Sequence, residues 1–148
     1  MIKKFLKLFK KRRPRRRILT CSGEHYDLKA IYDQVNQLYF ESKLVLRIMW
    51  FGDKNSRPRT RIRLGSYNHR TELIKIHRVL DQAHVPHHFV SFIVYHEMLH
   101  HVLPPVETGR RRKIHHQEFL EKEKQFQEYA LAKESAKKLK KTWFSSCN

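Results

Sequence analysis

The residues best suited to chemistry in this sequence are His96, Glu97 and His100, in the stretch YHEMLHHV. On a helix, side chains four positions apart project from the same face, so the two imidazoles would lie one turn apart. That spacing suits two ligands of a tetrahedral zinc ion, and Glu97 would lie beside the metal, where it can act on a bound water. The pattern predicts a Zn²⁺ site, one per chain, with Glu97 as its catalytic residue.

The helix that carries this motif is predicted to be buried. It should run from Pro86 to about Val102, where Pro104 and Pro105 end it. Its apolar residues are distributed around the whole helix, which is typical of an element surrounded by protein. Burying histidine and glutamate there is costly unless they are paired or bound. In a chain with 11 histidines the motif can arise by chance, but its place on the most apolar helix favours metal binding.

A catalytic zinc site takes three protein ligands and leaves a fourth position for water. His101 lies on the same helix but is rotated away from the face of the first two histidines. The other candidates for the third ligand follow that helix: Glu107, His115, His116 and Glu118. The adjacent histidines are favoured, because the preceding loop is long enough to let the last helix pack back against the central one.

Upstream of the motif, the sequence predicts one helix and three strands. Apolar residues at helical spacing follow Asp27, which predicts an amphipathic helix with that aspartate as its N-cap. The mostly apolar run over 43–51 is typical of a buried strand. Residues 59–67 and 72–77 are predicted as the second and third strands.

Downstream, residues 104–114 are predicted as a loop before the last helix. That helix should extend from about His115 to Lys141, and three small or aromatic residues should form its inner face: Phe119, Phe126 and Ala130. The complete order predicts a small α+β domain with an N-terminal helix, a three-stranded sheet, the central HExxH helix and a C-terminal helix.

The net charge of +18 arises from 32 lysines and arginines against 14 aspartates and glutamates. Residues 1–20 hold ten of these basic residues and no acid, and 1–17 are predicted as a short amphipathic helix followed by a basic arm. We therefore predict a flexible arm over 1–22, a domain over 23–141 and a tail over 142–148. Such a charge favours acidic partners, which are nucleic acid, an anionic membrane surface or acidic protein.

Two basic clusters lie in the predicted domain. The first recurs at period two, so on a strand its members would face one way, with Ile62 and Leu64 toward the core: Arg57, Arg59, Arg61 and Arg63. The second lies just before His115, separated from it only by Ile114: Arg110, Arg111, Arg112 and Lys113. Both predict sequence-independent contacts with the phosphates of DNA or RNA. The alternatives are solvated surfaces, or a cleft suited to acidic peptides.

The two cysteines, Cys21 and Cys147, form neither a disulfide framework nor a CxxC metal motif, which fits a reducing compartment. The longest apolar run, FIVY at 92–95, is far too short to span a bilayer. A cytoplasmic protein without a transmembrane segment is therefore predicted.

Four stretches together resemble the SprT-like zinc metallopeptidases, which include the DNA-dependent protease Spartan, and the small proteins called minigluzincins. These stretches are YDLKAIYDQVNQLYF, RTRIRLGSY, YHEMLHHV and HHQEFLEKEKQF, and the resemblance covers about residues 25–130. It implies a zincin-like fold, a zinc cofactor, a protein or peptide substrate and an association with DNA.

The resemblance also ranks the candidates for the third ligand. In the SprT-like pattern that ligand is the histidine of an HGxEF-type segment, which here implies His115, with His116 at the usual glycine position. The minigluzincin pattern would imply a glutamate such as Glu118 instead. The implied site is therefore His96, His100 and His115 on zinc, with His116 and Glu118 as alternatives.

These observations predict a zinc metalloendopeptidase that hydrolyses peptide bonds with a metal-activated water, acting on proteins associated with nucleic acid. Tyr67 and His77 are candidates for stabilising the carbonyl oxygen, although His77 is expected to be an exposed residue at a strand end. The alternative is a non-catalytic, basic nucleic-acid-binding protein with a structural zinc site. A weaker hypothesis is a membrane-surface protein anchored by residues 1–17.

Overall fold

A computed structural model describes residues 20–57 and 60–144 of the chain. The helices are α1 (Leu28–Phe40), α2 (His87–Val102), α3 (Gln117–Glu123) and α4 (Tyr129–Phe144). The strands are β1 (Arg47–Phe51), β2 (Gly65–Asn68), β3 (Leu73–His77), β4 (Val106–Thr108) and β5 (Arg111–Lys113). The basic arm except for its last three residues, as well as Arg59 and Cys147, lies outside the described residues.

The first three strands form one sheet in the order β1-β3-β2. β3 lies in the middle, parallel to β1 and antiparallel to β2. Ile74 and Ile76 of β3 are fully buried, because the central strand has neighbours on both edges and a helix layer on its face. The mixture of helices with a small sheet confirms the predicted α+β class.

The predicted second strand is shorter than expected. Residues 60–64 alternate between exposed and partly buried positions, with Ile62 and Leu64 packed against the core, but regular pairing begins only at Gly65. Leu64 extends the contact with β3 by one bond, in which its carbonyl oxygen accepts from the His77 N–H at 2.8 Å. This stretch therefore leads the chain toward β2 without lengthening the ladder.

α1 begins where the sequence predicts. Oδ1 of Asp27 accepts hydrogen bonds from the backbone N–H groups of Lys29 at 2.8 Å and Ala30 at 3.4 Å, which satisfies donors that the helix itself leaves unpaired. The inward face buries Leu28 and Ile31, and it packs against α2. The capping residue and the amphipathic spacing are both confirmed.

α2 is the buried central helix that the sequence predicts. It begins after Pro86 and ends at Val102, and its C-cap Leu103 directly precedes two prolines. Nine of its sixteen residues are buried, since the sheet, α1, α3 and α4 all pack against it. Among the described residues, no helix is long and apolar enough to cross a membrane.

The predicted single C-terminal helix is wrong, because the chain turns at residues 124–128 and divides it into α3 and α4. The turn brings Phe126 into the core, where its ring lies 5.4 Å from those of both Tyr39 and Tyr95. The hydroxyl of Tyr39 also accepts a hydrogen bond from the backbone N–H of Gln127 at 3.1 Å.

The turn also shifts the register of the helix that follows. Phe119 and Phe126 are buried as predicted, but Ala130 is exposed and Ala132 is buried in its place. A second difference lies upstream, where the predicted loop over 104–114 contains the antiparallel hairpin β4–β5. Gly109 in its turn has φ +60, a conformation that favours glycine.

Hydrogen bonds to Asp81 connect the segment before α1 with the turn before α2. Its buried carboxylate accepts three backbone N–H bonds, from Glu24 at 2.8 Å, His25 at 2.9 Å and Tyr26 at 3.1 Å. Burial alone would raise the pKa of Asp81, but these bonds outweigh it and lower the pKa below the ordinary value of 3.8. The folded protein therefore stabilises the charged form.

Asp81→Asn should lower the free energy of unfolding by about 1–3 kcal/mol at neutral pH, because the amide turns a donor toward backbone donors. Since the folded-state pKa is depressed, the carboxylate contributes fully above 3.8 and loses its contribution as the pH falls through the folded-state value. Urea denaturation of both proteins at neutral and acidic pH measures this. A difference in stability that does not shrink in acid would contradict the assignment.

Candidate metal centre

A cleft of about 360 Å³ lies between α2, β2 and the hairpin β4–β5. Residues of the 63–69 segment form one wall, α2 forms the floor, and residues between Pro105 and His115 form the other wall. The two histidines and the glutamate of the HExxH motif all line it. The residues that the sequence analysis selects for chemistry therefore share one accessible cavity.

Three imidazoles converge in this cleft. Nε2 of His100 lies 3.2 Å from Nε2 of His96 and 3.3 Å from Nε2 of His115. Donor atoms about 2.0–2.1 Å from a tetrahedral zinc are about 3.3–3.4 Å apart, so the observed separations match such a centre. Among the described residues this trio can hold a metal ion, with its donor atoms within 4.8 Å of one another.

The ring of Phe119 on α3 packs against all three imidazoles. Its buried ring lies 5.1 Å from that of His96, 4.7 Å from that of His100 and 4.8 Å from that of His115, measured between centroids. An apolar ring offers no competing donor or acceptor, so it restricts the imidazoles without engaging their nitrogens. The helix that follows His115 thus holds the histidines of a different helix in place.

Glu123 fixes the orientation of His96, and no motif in the sequence predicts this role. Its Oε1 lies 2.7 Å from Nδ1 of His96, and its other oxygen lies 3.6 Å from Nζ of Lys133. Burial would raise the pKa of Glu123, but the bond to His96 and the charges around it lower the pKa overall. The ionised carboxylate only accepts, so Nδ1 carries the proton and Nε2 presents a lone pair to the cluster.

The surroundings also keep the other imidazoles neutral. Burial, with the nearby histidines, lowers the pKa of His100 to about 3, and the same causes lower the pKa of His115. A neutral imidazole offers the lone pair that a metal requires, whereas an imidazolium does not. The nitrogens that His100 and His115 contribute are therefore uncharged at neutral pH.

Glu97 is the buried carboxylate of the cleft, with 6 % of its surface exposed. Burial raises its pKa to about 7, against the opposing effects of His96 and Arg63. Its carboxylate lies against the backbone of Gly65, where an added Cβ would come within 2.6 Å of Oε1. A carboxyl group with a pKa near neutrality can both accept and return a proton.

The comparison with known protein families matches this chain to the SprT-like family over residues 28–141, from the first residue of α1 into α4. The chain belongs to the SprT-like family. The match spans every residue of the histidine cluster and confirms the resemblance seen in the four sequence stretches. Searches of curated proteins and of solved structures find no match to the chain.

The SprT-like match does not by itself choose among the candidates for the third ligand, but the geometry separates them. His116 points Nε2 toward the carbonyl oxygen of Pro104 at 3.2 Å, and His101 places Nδ1 2.7 Å from the hydroxyl of Tyr67. Glu107 and Glu118 are exposed and lie outside the cluster. Only His115 of these candidates brings a donor atom to the other two histidines.

The two residues suggested for carbonyl stabilisation occupy different environments. Tyr67 of β2 lines the cleft. His77 is buried at the end of β3, where Nδ1 accepts from the N–H of Val79 at 3.0 Å and burial lowers its pKa. The expectation that His77 is exposed is wrong, because its side chain caps the 3₁₀ turn that follows the strand.

The basic residues of this SprT-like chain do not form one surface. Arg63 and Arg112 line the cleft, whereas Arg61 borders a second groove beside Trp143. Arg57 lies at a third depression near Lys54. The remaining members are exposed on the hairpin and its turn: Arg110, Arg111 and Lys113.

His115→Ala should weaken binding of a divalent transition metal by at least about 100-fold, more than the loss of an outer hydrogen bond costs. His116→Ala should change it little, since His116 bonds to Pro104 and not to the cluster. Titration with Co²⁺, followed by its visible absorption, reports both affinity and coordination. Loss of metal in the His116 variant alone would reassign the third ligand.

Proposed function

We propose that the chain is a zinc-dependent metallopeptidase that hydrolyses peptide bonds. The observation that carries this proposal is the convergence of three Nε2 atoms beside a buried carboxylate whose pKa is raised to about 7. His96, His100 and His115 are the proposed zinc ligands. Three imidazole nitrogens at tetrahedral spacing suit zinc and leave one coordination position open.

When bound, zinc would lower the pKa of a coordinated water to about 7 and polarise the substrate carbonyl. Glu97 then accepts the proton of the attacking water at its carboxylate and passes it to the leaving nitrogen of the cleaved peptide. The side chain suits both transfers, because burial holds its pKa near the pH at which it works. Glu123 keeps the proton of His96 on Nδ1 throughout.

Tyr67 is the proposed donor to the carbonyl oxygen as that atom gains negative charge. It lines the cleft, and its hydroxyl oxygen lies 2.7 Å from Nδ1 of His101 on the HExxH helix. In the proposed arrangement Nδ1–H of His101 donates to this oxygen, which leaves the phenol proton free for the substrate. Burial, with the charge of Glu72, raises the pKa of Tyr67, so the phenol keeps its proton. A preorganised hydroxyl of this kind stabilises an oxyanion without rearrangement.

The number of ligands favours catalysis over the alternative of a structural zinc site. Structural zinc centres close with four protein ligands, whereas catalytic centres keep a position open. Within the part of the chain that the structure describes, no fourth side chain joins the three histidines. A purely structural centre also has no use for Glu97 beside it.

We further propose that the substrates are proteins bound to nucleic acid. The hairpin β4–β5 and its turn present Arg110, Arg111 and Lys113 to solvent, and their neighbour Arg112 lines the cleft. Exposed basic side chains there would contact phosphates without reading a base sequence. Such contacts would hold the chain near proteins that share the same strand.

Glu97→Gln should keep the metal and lower turnover by about 10²–10⁴-fold, because the amide cannot accept the proton of the attacking water. Hydrolysis of a quenched-fluorescence peptide by the zinc-loaded protein measures the rate. Glu121→Gln is the matched control, since Glu121 is exposed on α3 outside the cleft. Cleavage by the Glu97 variant at the wild-type rate would refute the mechanism.

Tyr67→Phe should lower kcat by about 10²-fold with little change in KM, because the lost donor acts on charge that develops only in the transition state. Metal affinity should stay the same. Tyr129→Phe, a change of the same atom outside the cleft, should leave kcat unchanged. A rise in KM at constant kcat would assign Tyr67 to substrate binding instead.

A further inference from the structure

The walls of the cleft carry two guanidinium groups that face the same space. Arg63 comes from the segment before β2, and Arg112 comes from β5 of the hairpin. Both are exposed, and neither forms an ion pair with an acidic side chain of the described residues. Among the described residues that line the cleft, Glu97 is the only carboxylate.

The two arginines reach the cleft from different segments of the chain. The charge of Arg63 acts on Glu97, so this side chain is within electrostatic reach of the base. Arg112 lies three residues before His115 and lines the same cleft as this proposed third ligand. A peptide held over the histidine cluster would share the cleft with both arginines.

Glu107 is the acid best placed to neutralise Arg112, because the two residues are directly opposite in the β4–β5 pair. Cross-strand partners share one face of a hairpin. Glu107 nevertheless forms no ion pair with Arg112 and does not line the cleft. The residues that line the cleft therefore include two arginines against one carboxylate, that of Glu97.

The rest of the hairpin wall fits a peptide side chain. Pro105 and Ile114 line the cleft beside Arg112, and Ile114 is 49 % exposed. Apolar groups next to a guanidinium suit the methylene stem of an aspartate or glutamate, whose carboxylate then meets the cation. A cavity of about 360 Å³ has room for a short peptide segment.

We propose that the cleft selects peptide segments with aspartate or glutamate beside the bond to be cleaved, and that Arg63 and Arg112 bind those carboxylates. This inference rests on the proposed peptidase function, whose substrate class it specifies. The planar guanidinium can accept a carboxylate through two parallel hydrogen bonds, which gives orientation as well as attraction. The nucleic-acid contacts are then left to the exposed basic residues outside the cleft.

Binding to the full-length Glu97→Gln protein tests this selectivity without requiring turnover. Three fluorescently labelled peptides of equal length would carry acidic residues, their amides or lysines at the central positions, and anisotropy would give each Kd. We expect the acidic peptide to bind about tenfold more tightly than the amide peptide, and the lysine peptide to bind weakest. Equal affinities for the acidic and amide peptides would overturn the proposal.

Two double variants that remove the same charge distinguish the effect of the cleft arginines on peptide binding from the effect of the protein's net positive charge. Arg63→Gln with Arg112→Gln should abolish the tenfold preference, whereas Arg61→Gln with Arg110→Gln removes the same charge outside the cleft and should retain it. An equal loss in both doubles would show that net charge causes the preference and would overturn the proposal. If the Arg63→Gln, Arg112→Gln variant lost oligonucleotide binding but kept the preference for acidic peptides, the proposal would be overturned. Both arginines would then be assigned to binding nucleic-acid phosphates.

Cleavage of the same peptides by the zinc-loaded wild type distinguishes this inference from the proposed function. Cleavage of the acidic and amide peptides with equal kcat/KM would overturn the selectivity and leave the peptidase function standing. No cleavage of any peptide would overturn the peptidase function, and the binding ratios would still decide whether the cleft selects acidic segments.

Discussion

The contact between the buried carboxylate of Glu123 and Nδ1 of His96 requires three parts of the chain to be in place at once. The central helix must be buried, α3 must pack its Phe119 side onto that helix, and the chain must turn after Glu123 so that Phe126 enters the core. A carboxylate at this depth is costly unless it is paired. The imidazole and Lys133 provide that pairing, so the packing of the last two helices and the geometry of the histidine cluster depend on one contact.

The helices that the sequence predicts well are those whose signals are local. Asp27 caps α1 through its own side chain, and prolines bound α2 at both ends, so each limit is encoded within a few residues. The break between α3 and α4 has no such signal. Phe119 and Phe126 are seven residues apart, which also fits one continuous helix, and the turn is determined by contacts with distant Tyr39 and Tyr95.

The residues of the candidate site likewise include some that local sequence patterns predict and some that they do not. The positions of His96, Glu97 and His100 follow from helical spacing alone, and the resemblance adds His115. Glu123 lies 27 residues from the imidazole it contacts, and its one sequence signal is that it follows Phe119 by a helical turn. The sequence also does not predict which arginines line the cleft and which lie on other surfaces. That depends on how the segments that carry them pack in the folded protein.

Gly65 shows how a residue without a functional group can be as constrained as a catalytic one. Its backbone lies so close to the Glu97 carboxylate that a Cβ there would overlap Oε1 at 2.6 Å and Cγ at 2.9 Å. The group that must move is the side chain of Glu97 and not the backbone of the sheet. The fold would therefore be kept while the carboxylate was displaced. Every substitution of glycine adds a Cβ, and position 65 would therefore tolerate few mutations in an active enzyme, although most would leave a well-folded protein.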